Sequence, residues 1–274
     1  MLYHIALASS SKGNCHLLSQ DDGRTFIMIE CGLPFNKIKD TLRELSLDIH
    51  KIKACVVTHN HQDHSRSIGK LVPYMPVYAT KETFDAIGVE HFNAIPITPN
   101  KMFSLFNDFK IIPFSVFHNA PNPVNFLIKN NVDEYVLFIT DTSYIDISFG
   151  DIRPSLILIE ANFDKELMIN QLKESEKLIK RDRGFETIQK ERQLGDMGGH
   201  LSYQDTIKML KKIKLGICQQ VILTHVSPSN GFKYFAEMVY SGIDRECPVK
   251  QLNANEIETT LIYKKTNNKR RKKF

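Results

Sequence analysis

The chain has 274 residues, enough to bury a substantial core in one large domain or two small ones. Its hydrophobic content of 42% and charged content of 24% are ordinary for a globular protein, and no apolar stretch approaches the roughly 20 residues that cross a bilayer. The N-terminus lacks the features of a signal peptide, and the five cysteines are widely spaced and form no CxxC pair. We therefore expect a cytoplasmic protein without a membrane span, a disulfide framework or a cysteine zinc cluster.

The formal net charge of +5 is concentrated at the C-terminal end of the chain. Residues 264–274 contain seven basic residues and no acidic one, so the rest of the chain carries 29 basic and 31 acidic residues. This distribution predicts a nearly neutral folded domain over residues 1–263 and a basic tail over 264–274. Two interpretations of the tail stay open: a disordered, solvated end, or an arm that binds nucleic-acid phosphates without reading sequence.

The first half of the chain alternates short apolar runs with turn signals, which is typical of β-strands separated by loops. The polar segment Ser9–Asn14 predicts a loop, and Pro34 predicts the start of a helix that extends to about Leu45. The predicted strands are Tyr3–Ala8, His16–Ser19, Thr25–Glu30, Lys53–Thr58, Pro76–Ala79, Met102–Phe106, Phe109–Phe117, Asn125–Lys129 and Tyr135–Thr140.

The second half mixes helices with strands. Ser202, with Asp205 three residues later, resembles a capping box at the start of a helix. Strands first and helices interspersed predict an α/β protein with two sheets covered by helices, in one domain. The predicted elements are strands at Leu156–Ala161 and Gln219–Thr224 and helices at Lys165–Lys180, Ser202–Ile213 and Gly231–Ser241.

The strongest chemical signal is an HxHxDH motif, the run Thr58-His59-Asn60-His61-Gln62-Asp63-His64. It follows a predicted strand directly. A strand would split these side chains between two faces, whereas an irregular loop can direct all four potential ligands at one small volume. Neutral imidazole and carboxylate groups suit Zn²⁺, and Mn²⁺ is also possible. The motif therefore predicts a metal site, with a chance group of surface histidines as the less favoured interpretation.

Three further candidate ligands, His118, Asp141 and His225, each follow a predicted strand. Together with the HxHxDH motif they resemble, in order and spacing, the ligand set of the metallo-β-lactamase-fold hydrolases. The resemblance implies a hydrolase domain with an αββα sandwich fold, in which helices flank two mixed β-sheets. It also implies two divalent metal ions, Zn or Mn, which together lower the pKa of a shared water and create a hydroxide nucleophile. By this resemblance one ion is held by His59, His61 and His118, the other by Asp63, His64 and His225, and Asp141 bridges both.

Two other elements resemble the phosphodiesterase branch of this family, which includes tRNase Z and RNase J. They are Ile159-Glu160-Ala161-Asn162 and Gly199-His200-Leu201-Ser202. The resemblance implies that His200 protonates the leaving oxygen while Glu160 orients the His200 ring. The catalytic residues of this assignment are Asp63, His200 and Glu160. The alternative is that Glu160 merely ends a strand and His200 merely precedes a helix.

The closest resemblance is to the small YycJ-like or WalJ-like nucleases, which are regarded as DNA exonucleases acting from 5′ ends. It is carried by the run Ser10-Ser11-Lys12-Gly13-Asn14-Cys15, by His118-x-Ala120-x-x-Pro123 and by the Gly-His-Leu-Ser element. It suggests substrate contacts at Ser11, Asn14 and Asn162. Three positions depart from the family pattern: Ser67 replaces a glycine, Phe163 replaces a histidine, and Lys12 lies in a loop that is usually rich in glycine and serine.

The predicted function is therefore a metal-dependent phosphodiesterase, above all a DNA exonuclease or other nuclease, with DNA favoured over RNA. The nearly neutral body of the chain keeps open the hydrolysis of a small phosphodiester such as a cyclic nucleotide. A non-catalytic nucleic-acid-binding protein is an alternative of another class, which the complete ligand set disfavours. The oligomeric state stays open, a homodimer included.

Overall fold

The computed structural model describes residues 2–106, 109–145, 148–178, 199–227, 234–252 and 257–262. Within these ranges, 14 strands form two sheets, and seven α-helices and one 3₁₀ helix (Ile49–Lys51) accompany them. The strands are β1 (Leu2–Ser10), β2 (Gly13–Ser19), β3 (Phe26–Ile29), β4 (Ile52–Val56), β5 (Val77–Thr80), β6 (Ala94–Ile97), β7 (Phe103–Ser104), β8 (Lys110–Ser115), β9 (Val124–Lys129), β10 (Tyr135–Ile139), β11 (Pro154–Glu160), β12 (Gln220–Thr224), β13 (Val249–Gln251) and β14 (Glu258–Ile262). The helices are α1 (Phe35–Glu44), α2 (Gln62–Ser65), α3 (Ile68–Leu71), α4 (Lys81–Ile87), α5 (Lys165–Leu178), α6 (Tyr203–Leu210) and α7 (Phe235–Gly242).

Both sheets are mixed, and they follow the same plan. The first has the order β14-β1-β2-β3-β4-β5-β6, and its pairs are antiparallel as far as β3 and parallel beyond it. The second has the order β13-β12-β11-β10-β9-β8-β7, antiparallel from β7 to β10 and parallel from β10 to β13. Because neighbouring parallel strands end at the same edge of a sheet, the residues that follow them are gathered there.

Alternation of apolar side chains explains why the sheets form a sandwich. In β10, Val136 and Phe138 belong to the core between the two sheets, while Leu137 and Ile139 belong to the core under α6 and α7. A strand directs successive side chains to opposite faces, so a continuously apolar strand needs cover on both sides. A third apolar core lies between the first sheet and α1, α3 and α4. The predicted αββα sandwich is therefore confirmed.

The predicted loop at Ser9–Asn14 is wrong. The first strand continues to Ser10 and the second begins at Gly13, so only Ser11 and Lys12 form the turn. The composition suggested a loop because serine, glycine and asparagine are common in turns. Here the side chains of Ser9 and Asn14 face the site described below, where Ser9 Oγ accepts a hydrogen bond from the backbone N–H of His225 at 2.9 Å.

Several other boundaries also differ from the sequence predictions. Part of the HxHxDH motif is helical, since α2 contains Gln62–Ser65, and the elements α3, α4, β6, β13 and β14 were not predicted. These elements are short, and periodicity is a weak signal over a few residues. The strand predicted at Met102–Phe106 shrinks to Phe103–Ser104, and Pro34 precedes α1 rather than lying in it. The other predicted strands and helices are confirmed to within a few residues.

Three sequence predictions concern parts of the chain that the structure leaves undescribed. Residues 264–274, the predicted basic tail, lie outside the described residues, as do residues 179–180 at the end of the helix predicted at Lys165–Lys180 and residues 231–233 at the start of the last predicted helix. None of the helices in the described ranges combines the length and the hydropathy that a membrane crossing needs.

Candidate metal centre and active site

The candidate site lies where parallel strands of both sheets end. His59 follows β4, Asp141 follows β10 and His225 follows β12. Asp141 and His225 have backbone φ angles of 40° and 50°, in the left-handed region that residues other than glycine rarely adopt. Residues in such conformations cost of order 1–3 kcal/mol and are held in place only where the surroundings impose them, often at functional sites.

All seven predicted metal ligands are brought together at this edge. They form two groups of four that share Asp141, and in each group one donor atom per residue lies within 4.8 Å of the others. Their role as ligands stays a prediction, but the two groups correspond to the two proposed metal positions. The groups are His59, His61, His118 and Asp141, and Asp63, His64, Asp141 and His225.

The hydrogen bonds of the outer ring nitrogens show how these histidines fit a cation. His118 Nδ1 donates to the backbone carbonyl of Gly199 at 3.0 Å, and His59 Nδ1 lies 2.8 Å from Thr58 Oγ1. The remaining nitrogens then face the centre: His118 Nε2 and His59 Nε2 lie 3.5 and 3.7 Å from Asp141 Oδ2. His59 Nε2 is buried and has no hydrogen-bond partner among the described residues. A metal-binding histidine has one ring nitrogen held by the protein and the lone pair of the other left free for the ion, and both histidines fit this arrangement.

Glu30 lies behind the histidine cluster and was not predicted from the sequence as part of the site. Its buried carboxylate lies 3.2 Å from His64 Nδ1 and accepts a hydrogen bond from the Thr58 backbone N–H at 3.1 Å. It therefore orients His64 and anchors the start of the HxHxDH segment. The available signal was an acidic residue at the end of an apolar predicted strand, but nothing in the local sequence pairs Glu30 with a histidine 34 positions later.

The three predicted substrate contacts occupy different environments. Asn14 and Asn162 are buried, and their amides donate to the backbone carbonyls of Asp63 at 3.3 Å and His225 at 2.9 Å. Ser11 is exposed in the β1–β2 turn. The geometry thus gives the two asparagines a positioning contact behind proposed ligands. A contact of any of the three with substrate stays a prediction.

Glu160 and His200 form a pair beside the two ligand groups. Glu160 is fully buried, and its Oε1 accepts from His200 Nδ1 at 2.6 Å, while Oε2 accepts from the Leu201 backbone N–H at 3.2 Å. The same Oε1 lies 2.9 Å from His225 Nδ1, a contact that sequence reasoning did not foresee. His200 keeps 19% of its side chain exposed and lies 3.9 Å from Asp141 Oδ1. The pair is therefore placed to act on a substrate held at the metal centre.

Gly199 allows the His118 and His200 segments to approach each other. Its φ is 69°, and a Cβ atom there would lie 2.1 Å from His118 Nδ1, closer than atoms can approach. Beyond His200 the chain enters α6, where Ser202 Oγ caps the helix by accepting from the Asp205 backbone N–H at 3.1 Å. The Gly-His-Leu-Ser element thus joins a close backbone approach to a helix start. Ser202 is the N-cap as predicted, but the Asp205 carboxylate accepts from the Ser202 hydroxyl at 2.7 Å, whereas in a capping box it would accept from the Ser202 backbone N–H.

The pKa pattern of the cluster reflects a pocket that favours positive charge. Burial by itself lowers the pKa of His64, yet Asp141 and Glu30 outweigh burial and raise that pKa well above its usual value. His225 behaves in the same way, with burial opposed mainly by Asp141. Burial alone would raise the pKa of Asp141, but His225 and His64 hold it well below its usual range. At His118 burial dominates and lowers the pKa to about 4. Divalent cations would satisfy the same carboxylates without protonated histidines.

The three departures from the family pattern leave this cluster intact. Ser67 has an ordinary φ of −100°, so no glycine is required, and its hydroxyl donates to the Leu33 carbonyl at 2.6 Å. Phe163 is buried and pairs with Ser202 through an isolated β-bridge, while Lys12 is exposed in the β1–β2 turn. None of the three is a member of a ligand group.

The fold and the histidine–aspartate cluster define a hydrolase of the metallo-β-lactamase fold. A family model described as the beta-lactamase superfamily domain matches residues 25–226, and the chain belongs to this family. It is 28% identical over 255 residues to Exodeoxyribonuclease YycJ of Bacillus anthracis, covering 89% of this chain and 90% of that protein. It is 27% identical over 242 residues to Exodeoxyribonuclease WalJ of Streptococcus pneumoniae serotype 2, covering 85% and 84%.

A solved structure supports the fold in addition. The metallo-beta-lactamase fold protein YhfI of Bacillus subtilis superposes with a TM-score of 0.68, covering 94% of this chain and 99% of that one. Since the two are only 15% identical, this likeness concerns the fold alone. The expected family, fold and relation to the YycJ-like and WalJ-like nucleases are therefore confirmed.

Proposed function

We propose that this protein is a metal-dependent phosphodiesterase that cleaves DNA as an exonuclease. The observation that carries the proposal is the His200–Glu160 hydrogen bond of 2.6 Å beside Asp141, because it supplies a proton donor at the edge of a metal centre. Phosphodiester cleavage expels an alkoxide, which leaves far more readily when a positioned acid protonates it. The relatives named as exodeoxyribonucleases support DNA as the substrate.

In this proposal the seven clustered histidines and aspartates hold two divalent ions, Zn or Mn, with Asp141 shared between them. When bound, such a pair of ions lowers the pKa of a water molecule and neutralises charge that develops on the phosphate. His200 holds the proton for the leaving oxygen. Because its Nδ1 is bound to Glu160, Nε2 is the nitrogen that can meet the substrate. Glu160 keeps the ring in this orientation and Asp63 completes the proposed catalytic set.

The His200→Ala variant tests this assignment. It should cleave DNA roughly 10²–10⁴-fold more slowly, the usual contribution of a general acid. It should largely retain turnover of bis-p-nitrophenyl phosphate, because p-nitrophenolate leaves without protonation. Metal content, measured by elemental analysis, should not change. His50→Ala is the matched control, since His50 is an exposed histidine away from the cluster.

Equal losses on the two substrates, or the loss of a metal ion, would instead mean that His200 is a ligand or a structural residue. One of its ring nitrogens lies within 4.8 Å of donor atoms of Asp141, Glu160 and His225. A substrate panel decides between the remaining candidates. Metal-loaded protein should degrade single- or double-stranded DNA in preference to RNA and to cyclic nucleotides. Preferred hydrolysis of a cyclic nucleotide would replace the nuclease proposal by the small-phosphodiester alternative.

A further inference from the structure

Two half-exposed aromatic rings are stacked on each other at the rim of the candidate metal centre. The rings of Phe117 and Tyr144 have centroids 3.9 Å apart and planes inclined by 15°. Phe117 directly precedes His118, and Tyr144 follows Asp141 by three positions. Although stacking covers one face of each ring, 46% of Phe117 and 49% of Tyr144 remain exposed. The stacked pair therefore leaves aromatic surface open to a ligand beside the candidate active site.

The backbones beneath the two rings are joined by hydrogen bonds. The Phe117 N–H donates to Thr142 Oγ1 at 3.2 Å, and the Ser143 N–H donates to the Phe117 carbonyl at 2.9 Å. The buried Thr142 hydroxyl in turn donates to the Tyr144 carbonyl at 2.7 Å. The loop that carries His118 and the loop that carries Asp141 are therefore tied into one rigid support. Rings held in this way lose little conformational entropy when a ligand stacks on them.

A cavity with two lysines in its wall adjoins Tyr144. Its volume is about 160 Å³, and its lining includes Tyr144, Leu201, Lys208 on α6 and Lys212 just beyond the end of that helix. Asp205 also lines it and pairs with Lys208 at 2.9 Å. The arrangement therefore places an aromatic platform beside a cavity that has lysines in its wall, and these are two of the elements that hold single-stranded nucleic acid.

We propose that Phe117 and Tyr144 form a platform on which one unpaired nucleobase of a DNA strand stacks while its backbone lies at the metal centre. This inference rests on the proposed nuclease function and names the form of substrate, a strand end with at least one unpaired base. Stacking accepts any base, because every base has a π-face, so the platform holds DNA without selecting a sequence.

The test compares Tyr144→Leu with the wild type in binding phosphorothioate-protected single-stranded DNA oligonucleotides. One oligonucleotide is intact. Each of the others carries a single abasic nucleotide, at a different one of the positions nearest the two ends. The wild type should bind intact DNA roughly 5- to 150-fold more tightly than DNA that is abasic at one particular position. Tyr144→Leu should abolish that difference. Tyr144→Phe, which keeps the ring, and Phe92→Leu, which removes an exposed aromatic ring elsewhere, should retain it.

A second readout follows the stacking itself. The fluorescence of 2-aminopurine placed at the sensitive position should fall when the wild type binds and should fall much less with Tyr144→Leu or with Phe117→Leu. Equal affinity for intact and abasic DNA at every position, in a wild type that cleaves DNA, would overturn the platform and leave the nuclease proposal standing. Unchanged discrimination in both leucine variants would also overturn it. A wild type that cleaves no DNA would overturn both proposals.

Discussion

The Glu160→Gln substitution tests whether the buried carboxylate of Glu160 orients both the proposed acid, His200, and a proposed metal ligand, His225. Its Oε1 lies 2.6 Å from His200 Nδ1 and 2.9 Å from His225 Nδ1, and its Oε2 accepts from the Leu201 N–H at 3.2 Å. From the sequence alone we expect Glu160→Gln to show the same selective loss of DNA cleavage as His200→Ala, but a smaller one, with metal binding unchanged. The contact with His225 predicts weaker metal binding as well.

The magnitude follows from hydrogen bonds that glutamine cannot reproduce. If the amide oxygen of Gln faces the two histidines, its NH₂ group faces the Leu201 N–H; in the opposite orientation the NH₂ group faces the histidine N–H groups. Either way at least one buried donor loses its acceptor, at a cost of about 1–3 kcal/mol. Loss of a partner of a metal-binding histidine typically weakens metal affinity by about 10–100-fold. We expect a loss of DNA cleavage at saturating metal near the lower end of the roughly 10²–10⁴-fold range of general acids.

The assay is a titration of metal-free protein with Zn²⁺ against a chelator of known affinity, followed by turnover of DNA at saturating metal. Glu160→Gln should weaken one of the two bound equivalents, whereas His200→Ala should leave both unchanged. Glu166→Gln, at an exposed position of α5, is the matched control. Wild-type affinity for both equivalents in Glu160→Gln would show that the His225 contact has no role in metal binding, and the reasoning would be refuted.

Three further predictions concern the metal centre, the tail and the core. Elemental analysis of metal-replete protein should find two ions per chain. The Asp141→Ala variant should fold yet lose most activity. A ratio of one ion per chain in the wild type, unchanged in His225→Ala, would contradict the paired site. Removal of residues 264–274 should weaken DNA binding and flatten its salt dependence, by about 0.7–0.9 in log–log slope for each phosphate that the tail neutralises; an unchanged slope would leave the tail without a binding role. Burial, with the charge of Lys250, lowers the pKa of His4 to about 3. The unfolded chain therefore binds more protons as the pH falls below 6.5, and about 3 kcal/mol of stability should be lost between pH 6.5 and 4 through this group. Urea unfolding should show a smaller loss for His4→Leu, and an equal loss would contradict the assignment.

Local sequence patterns were sufficient for the features that depend on neighbouring residues. The continuous apolar run at β10 predicts a buried strand because both faces of a sheet need cover. The HxHxDH motif predicts a metal site because ligand type and close spacing are visible in the chain itself. The order of His118, Asp141 and His225 then indicates the family by resemblance, and with it the αββα sandwich.

The structure alone decided which distant residues meet. Glu30 with His64, Glu160 with His225, and Phe117 with Tyr144 are pairs whose contacts depend on sheet order, strand register and the path of the loops between them. A residue's own sequence neighbourhood carries little information about these, because the free energy of such contacts comes from the packing of both sheets as a whole. The sequence by itself therefore determined the kinds of groups at the site and the strands that carry them. Tertiary structure determined that one carboxylate contacts both the proposed acid and a proposed ligand, and that two aromatic rings stack beside the candidate centre.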